Sequence, residues 1–233
     1  MFALRAGCNL KRKFNVAFCS YDAAKYAVMN WHYSKAMPAG KQVRFGVWES
    51  EVFCGAVIFG TGACPQIADP FGVKRQEAAE LVRVALSKHE TPVSKINAIC
   101  IKKLKIYCPK LRVLVSYADP EQGHHGGIYQ AGNWVYLGET KPIEWFVCTK
   151  TGKRIHTKTL RTGRRGLATK LKAEGKIKAI HLTKLKYAMG LDRDMCQKLA
   201  QISKPYPKRV RGADSGTPGN QSGGGGAIPT RTL

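Results

Sequence analysis

Residues 111–138 read LRVLVSYADPEQGHHGGIYQAGNWVYLG, and the fold turns on them. Leu111, Val113, Leu114 and Val115 form a short, nearly continuous apolar run, which is the pattern of a strand covered on both faces. Ser116, Tyr117, Asp119 and Pro120 then put polar groups at the strand's C-terminal end, where open α/β sheets place ligands. Gly126 to Ala131 read as a short, closely packed helix that stops near Gly132 and Asn133, and Trp134 to Leu137 resume as strand. The order is strand, site, helix, strand.

Upstream, Lys13 to Phe18 predict a first strand, and Ser20 caps a helix with Tyr21, Ala24, Ala27 and Val28 on one face. That helix ends in Trp31-His32-Tyr33-Ser34-Lys35, where an imidazole, a phenol and a hydroxyl sit side by side. Val43 to Trp48 and Val52 to Phe59 read as a hairpin turning at Glu49-Ser50-Glu51. The loop from Gly60 to Gly72 is long for a compact domain and reads as a binding loop or lid. In the next strand, simple alternation puts Leu81, Arg83 and Ala85 on one face. An arginine there needs an anion or solvent. Thr91 as N-cap and Pro92 at the first position start a helix, and with Lys88 beside it this N-terminus is a candidate phosphate site.

Composition narrows the class. The 233 residues hold 39 Lys+Arg against 15 Asp+Glu, a formal charge of +24. Such an excess concentrates polyanions and points to nucleic acid. The chain has no apolar run near the ~20 residues of a membrane span, and the expected location is the cytoplasm. The eight cysteines, at 8, 19, 54, 64, 100, 108, 148 and 196, give no C-x2-4-C zinc half-site.

The order strand, helix, hairpin, strand, helix, strand, helix, strand resembles the GCN5-related N-acetyltransferase fold, an α+β (α/β) architecture with a mixed sheet flanked by helices. That resemblance implies an acetyl-CoA or related acyl donor, held by Arg83, Lys88, Ser94 and Ser116, and a general-acid tyrosine at Tyr129. The family's glycine-rich pyrophosphate loop is replaced by SKHETPVS, Ser87 to Ser94. More specifically, WHYSK, CGAVIFG, ELVRVAL, SYADPEQGHHGGIYQAGNWVYLG and the basic hairpin after them resemble the phage-encoded Mom DNA-modification proteins. Members convert adenine in double-stranded DNA to N6-carbamoylmethyladenine, which shields phage DNA from host restriction inside the host cell cytoplasm. The resemblance places functional positions at His32, Tyr33, Arg83, Asp119 and Tyr129.

That product has the adenine amine bonded to a CH2 carrying an amide. Reaching it from an acetyl donor means activating a methyl C–H, which side-chain acid–base groups cannot do alone. Iron fills that gap, with His32 and Asp119 as candidate ligands and Glu80 and His124 as further nitrogen and oxygen donors. In this reading Tyr129 acts as acid or hydrogen-bond donor, Asp119 orients the amine or holds the metal, and His32 serves as base or ligand. Tyr33 stacks on or positions a flipped base and Arg83 pairs with an anionic donor group.

The last third is cationic. Glu144 to Cys148 and Arg154 to Leu160 flank Thr151-Gly152 as a hairpin, and Lys150, Lys153, Arg154, Lys158, Arg161, Arg164 and Arg165 suit phosphate tracking along a duplex. Residues 177–189 read as a strand pair and Asp192 starts a last helix. The expected division is a catalytic core over 10–140, a basic DNA-binding extension over 141–204 and a disordered tail over 205–233. Two other readings stay open: an acetyl-CoA-dependent transferase acting on RNA or another polyanion-associated substrate, and a DNA-binding protein without catalysis.

Overall fold

The computed structural model describes residues 14–62, 64–157, 160 and 166–207. Lys13, Lys158, Arg161, Arg164, Arg165 and most of the expected tail lie outside them. Strands β1 (Phe14–Phe18), β2 (Gln42–Glu49), β3 (Val52–Gly60), β4 (Ala78–Leu86), β5 (Val113–Ala118), β6 (Val135–Glu139) and β10 (Leu185–Gly190) make a seven-stranded sheet in the order β1-β2-β3-β4-β5-β10-β6. Its one parallel pair is β4 with β5. A second sheet, β8-β7-β9, consists of β7 (Ile143–Cys148), β8 (Arg154–His156) and β9 (Ile177–Leu182).

Helix α1 (Tyr21–Trp31) begins where the Ser20 hydroxyl accepts the Ala23 N–H, as its sequence predicts. Ala24, Ala27 and Val28 are wholly buried against Ala56, Ile58 and Ala85, so small side chains let the helix lie close to β3 and β4. Tyr21, expected on that face, is half exposed and lies under the Arg44 guanidinium. On the opposite face α2 (Val93–Tyr107) buries Ile96, Cys100, Ile101 and Leu104 in the largest core cluster, joined by α3 (Gly127–Gln130) through Tyr129. Ile106, on the same helix, faces solvent.

Three corrections follow from packing. The chain returns from the small sheet to lay β10 between β5 and β6, with Tyr187 and Ala188 fully buried. Helix α4 (Arg193–Gln201), capped by Asp192, then seals that half of the sheet with Met195 and Leu199. A boundary at residue 140 therefore cuts through the core: residues 185–204 belong with it, and β9 and β10, adjacent in sequence, sit in different sheets. The loop after β3 is a wall rather than a lid, because Ile67, Ala68 and Phe71 are buried against Met195 and Leu199. The Phe71 carbonyl also accepts from Lys198 Nζ at 2.8 Å. In β4, the register against β3 slips between Ile58 and Phe59, leaving Val82 as a bulge. The slip inverts the alternation, so Leu81 packs with Val84 and Leu86, while Arg83 points to the α1 side with Ala85. Among the described residues no helix is long and apolar enough to cross a membrane.

Candidate active site

The site begins where two strands part. The β4–β5 ladder runs only from Ala78↔Val113 to Glu80↔Val115. One residue on, the Ser116 hydroxyl bridges the opening, 2.8 Å from the Leu81 carbonyl and 2.8 Å from the Tyr129 phenol oxygen. A carbonyl only accepts and a serine has one proton to give, so Ser116 donates to Leu81 and Tyr129 donates to Ser116. All three atoms are buried, and burial pushes the Tyr129 phenol up to about 12, against the lowering effect of its Ser116 contact. Tyr129 is held by Tyr187, stacked at 5.0 Å, and by Trp134 at 5.4 Å. The turn into α3 passes through Gly126 at φ +81°, where a Cβ would collide with the phenol end of Tyr187, 2.3 Å from its Cζ and hydroxyl oxygen. Glycine is required there for both its backbone and its missing side chain.

Across the opening stands the loop after α1. His32 ends the helix, its N–H bonded to the Val28 carbonyl, and its ring is almost wholly buried. The Ser34 amide donates to His32 Nδ1 at 3.1 Å, with Ser34 Oγ 2.8 Å away. A backbone N–H can only donate, so the lone pair of the neutral ring is at Nδ1 and its proton at Nε2. Burial first, then the charges of Arg83, His124 and Lys35, lowers this imidazole to about 3. His32 is thus neutral at physiological pH and a donor at Nε2; the expected role as base or ligand needs it to leave Ser34. Tyr33 stacks on it at 4.3 Å, and His124 meets the Tyr33 ring edge-on at 5.4 Å. Half of Tyr33 remains exposed.

Arg83 is pinned to the same loop: Nε donates to the Ala36 carbonyl at 3.3 Å and Nη1 to the Val82 carbonyl at 2.7 Å. Asp119 caps the turn after β5 by accepting the Glu121 N–H, and Lys184 Nζ stands 3.9 Å from its carboxylate. The Asp119 charge adds to burial in raising the Tyr33 phenol, and counters burial, which lowers His124. Tyr33 and Glu80 in turn help to raise Tyr129. The parted strands therefore let groups on the α1 side act on the phenol on the α2 side. His32, Tyr33, Arg83, Asp119, Ser116 and Tyr129 form one neighbourhood.

Lys88 and Ser94 do not join it; they flank the turn between β4 and α2. That turn departs from expectation. Pro92, not Thr91, occupies the cap position, without a side-chain cap bond. The amides of Glu90 and Thr91 donate to Glu49 Oε2 and Oε1, each at 2.8 Å. A diphosphate at this turn would meet a carboxylate already on these amides, so the residues do not fit a coenzyme A held there. Nor do they fit iron on His32 and Asp119: among the described residues no three His, Cys, Asp or Glu side chains are grouped to hold a metal, and the Nδ1 lone pair of His32 is engaged.

The small sheet abuts the site loop. Arg154, expected on DNA, is paired with Glu121 at 2.7 Å. Lys150 and Lys153 at the same hairpin are exposed. Lys172 is shared between Glu144, at 3.0 Å, and the Phe146 ring. Lys184 sits in a run where lysines alternate with apolar residues, and nothing in the sequence distinguishes it. Glu49 reads in sequence only as part of a hairpin turn.

Solved structures similar to this chain include an N-acyl amino acid synthase from uncultured soil microbes, at 12% identity over 84% of this chain and 96% of that one, with a TM-score of 0.46. A spermidine/spermine N-acetyltransferase from Vibrio cholerae shows 9% identity over 81% and 96%, TM-score 0.41. A ribosomal-protein-S5-alanine acetyltransferase from Vibrio fischeri shows 10% over 77% and 93%, TM-score 0.43. No curated protein sequence matches the chain. The model of the Mom protein family matches residues 13–208, most of its length, and the chain belongs to that family.

Proposed function

We propose that the chain is a transferase that modifies the N6 amine of adenine in double-stranded DNA to N6-carbamoylmethyladenine. The observation that carries this reading is the meeting of His32, Tyr33, Arg83, Asp119 and Tyr129 at the β4–β5 opening, beside a lysine-bearing sheet. N6 inside a duplex is out of reach of such a site, so the base must flip. The exposed face of Tyr33 offers it a stacking surface, and the His32 Nε2–H offers a neutral donor to a ring nitrogen. Asp119 accepts the proton that N6 loses as it bonds to the incoming CH2. The bond from that CH2 to its carrier breaks with the electron pair leaving on the carrier, and Tyr129 turns its proton from Ser116 to protonate it. As Tyr129 gives its proton away, Ser116 turns from Leu81 to donate to the phenolate.

The transfer balances without an oxidant when the CH2 arrives bearing a leaving group; an acetyl donor would add the need for a redox metal, and iron there would require His32 to release Ser34. Lys150 and Lys153 would track the backbone phosphates. Nucleoside mass spectrometry on DNA from cells expressing the wild-type chain, Asp119→Ala or Tyr129→Phe tests the proposal. A carbamoylmethyl-shifted deoxyadenosine in the first and not in the second is expected. Unmodified DNA from folded wild-type protein refutes it and leaves transfer to RNA or binding alone.

A further inference from the structure

The β4–α2 turn already holds an anion. Glu49 is the last residue of β2, and Ser50 and Glu51 make the two-residue hairpin turn at φ +49° and +69°, which returns the chain so that Glu49 pairs with Val52. From this anchored position each carboxylate oxygen takes one amide of the turn, Glu90 and Thr91, at 2.8 Å. The turn is further closed on itself: His89 Nδ1 lies 2.9 Å from the Thr91 carbonyl, and the Ser87 amide donates to the Cys54 carbonyl at 2.8 Å. Ser87 to Ser94 contains no glycine whose missing side chain would let a second anion approach the backbone.

We propose that Glu49 is a specificity residue: an internal carboxylate that fills the anion-binding turn and selects against donors carried on a nucleotide diphosphate, such as coenzyme A. Two like charges cannot share the same pair of amides, and a carboxylate about 4 Å from a diphosphate costs tenfold or more in affinity at a protein surface. The donor is then recognised through its acyl end at the β4–β5 opening. This inference concerns the donor alone and stands whether or not the acceptor is adenine.

Calorimetric titration of the full-length chain with coenzyme A, and separately with inorganic pyrophosphate, is the test, on wild type, Glu49→Ala and Glu49→Gln. Thermal melts establish that each variant folds. The expected result is at least tenfold tighter binding of both ligands by Glu49→Ala than by wild type, with Glu49→Gln in between because its amide group frees one of the two N–H donors. Backbone amide exchange at Glu90 and Thr91 should be slow in wild type and fast in Glu49→Ala. Coenzyme A binding wild type as tightly as Glu49→Ala overturns the proposal, as does fast exchange of both amides in wild type. Because these are binding and exchange measurements, their failure is distinguishable from an absence of DNA modification.

Discussion

Ser116 spans the parted strands, and Ser116→Ala measures what that span is worth. The substitution orphans the Leu81 carbonyl and the Tyr129 phenol, both buried. At ~1–3 kcal/mol for each unsatisfied buried group, the expected loss is about 3 kcal/mol, or roughly 6–12 °C in Tm for a chain of this size. Tyr129→Phe behaves differently, since Ser116 keeps its bond to Leu81, and about 1 kcal/mol is expected. In the Tyr129→Phe background, Ser116→Ala orphans only the carbonyl, so its cost should fall to ~1–2 kcal/mol and the cycle should show a coupling of ~1–2 kcal/mol. Urea unfolding followed by tryptophan fluorescence reads this out, because Trp134 packs on Tyr129. A Ser116→Ala cost within about 0.5 kcal/mol of zero, or one equal in both backgrounds, refutes the proton assignment along Tyr129, Ser116 and Leu81.

His32, lowered to about 3 in the folded chain from 6.5, binds a proton more readily when unfolded. Its contribution to stability is whole above pH 6.5 and drains away as pH falls toward 3. Urea midpoints measured from pH 7 to 4 should fall less steeply for His32→Gln than for wild type; parallel slopes would contradict the assignment. Gly126→Ala, which combines a left-handed backbone with a Cβ that collides with the phenol end of Tyr187, should cost more than about 2 kcal/mol, and an unchanged melting temperature would count against the described turn. For duplex DNA, Lys150→Ala and Lys153→Ala should each lower the slope of log affinity against log salt by about 0.9. Arg154→Ala should lower it by less, because Glu121 already neutralises it; equal slopes for all three would sink that distinction.

Much of the candidate site was legible because its signals are local. The apolar run 113–115, the polar residues after it and the glycines at 126 and 127 set out strand, site and helix within one short stretch. The Ser20 and Asp192 caps are likewise written in adjacent residues. What escaped depends on partners distant in the chain. The Val82 bulge is a property of the β3–β4 pairing, not of β4, so strict alternation placed Leu81 on the wrong side. The β10 strand resembles β9 in its lysine spacing, and only the vacancy between β5 and β6 separates their destinations. Glu49 meets the turn at 90–91 across about 40 residues of chain, as the pairing of sheet edge and helix start decides.

The late arrival of β10 bears on how the protein comes into being on the ribosome. β5, which carries Ser116 and leads to Asp119, has β10 as its whole antiparallel partner from Val113 to Ala118. Until residue 190 has been made, that edge is an open row of amides and carbonyls, a template for pairing with another chain. The Gly126 turn is likewise without the Tyr187 ring that packs over it, and the Tyr187 hydroxyl that bonds the His125 carbonyl has not been synthesised. Folding is therefore dominated by late, long-range pairing and should be slow for the chain's length. A nascent chain has no assembled site before nearly all of the described residues exist.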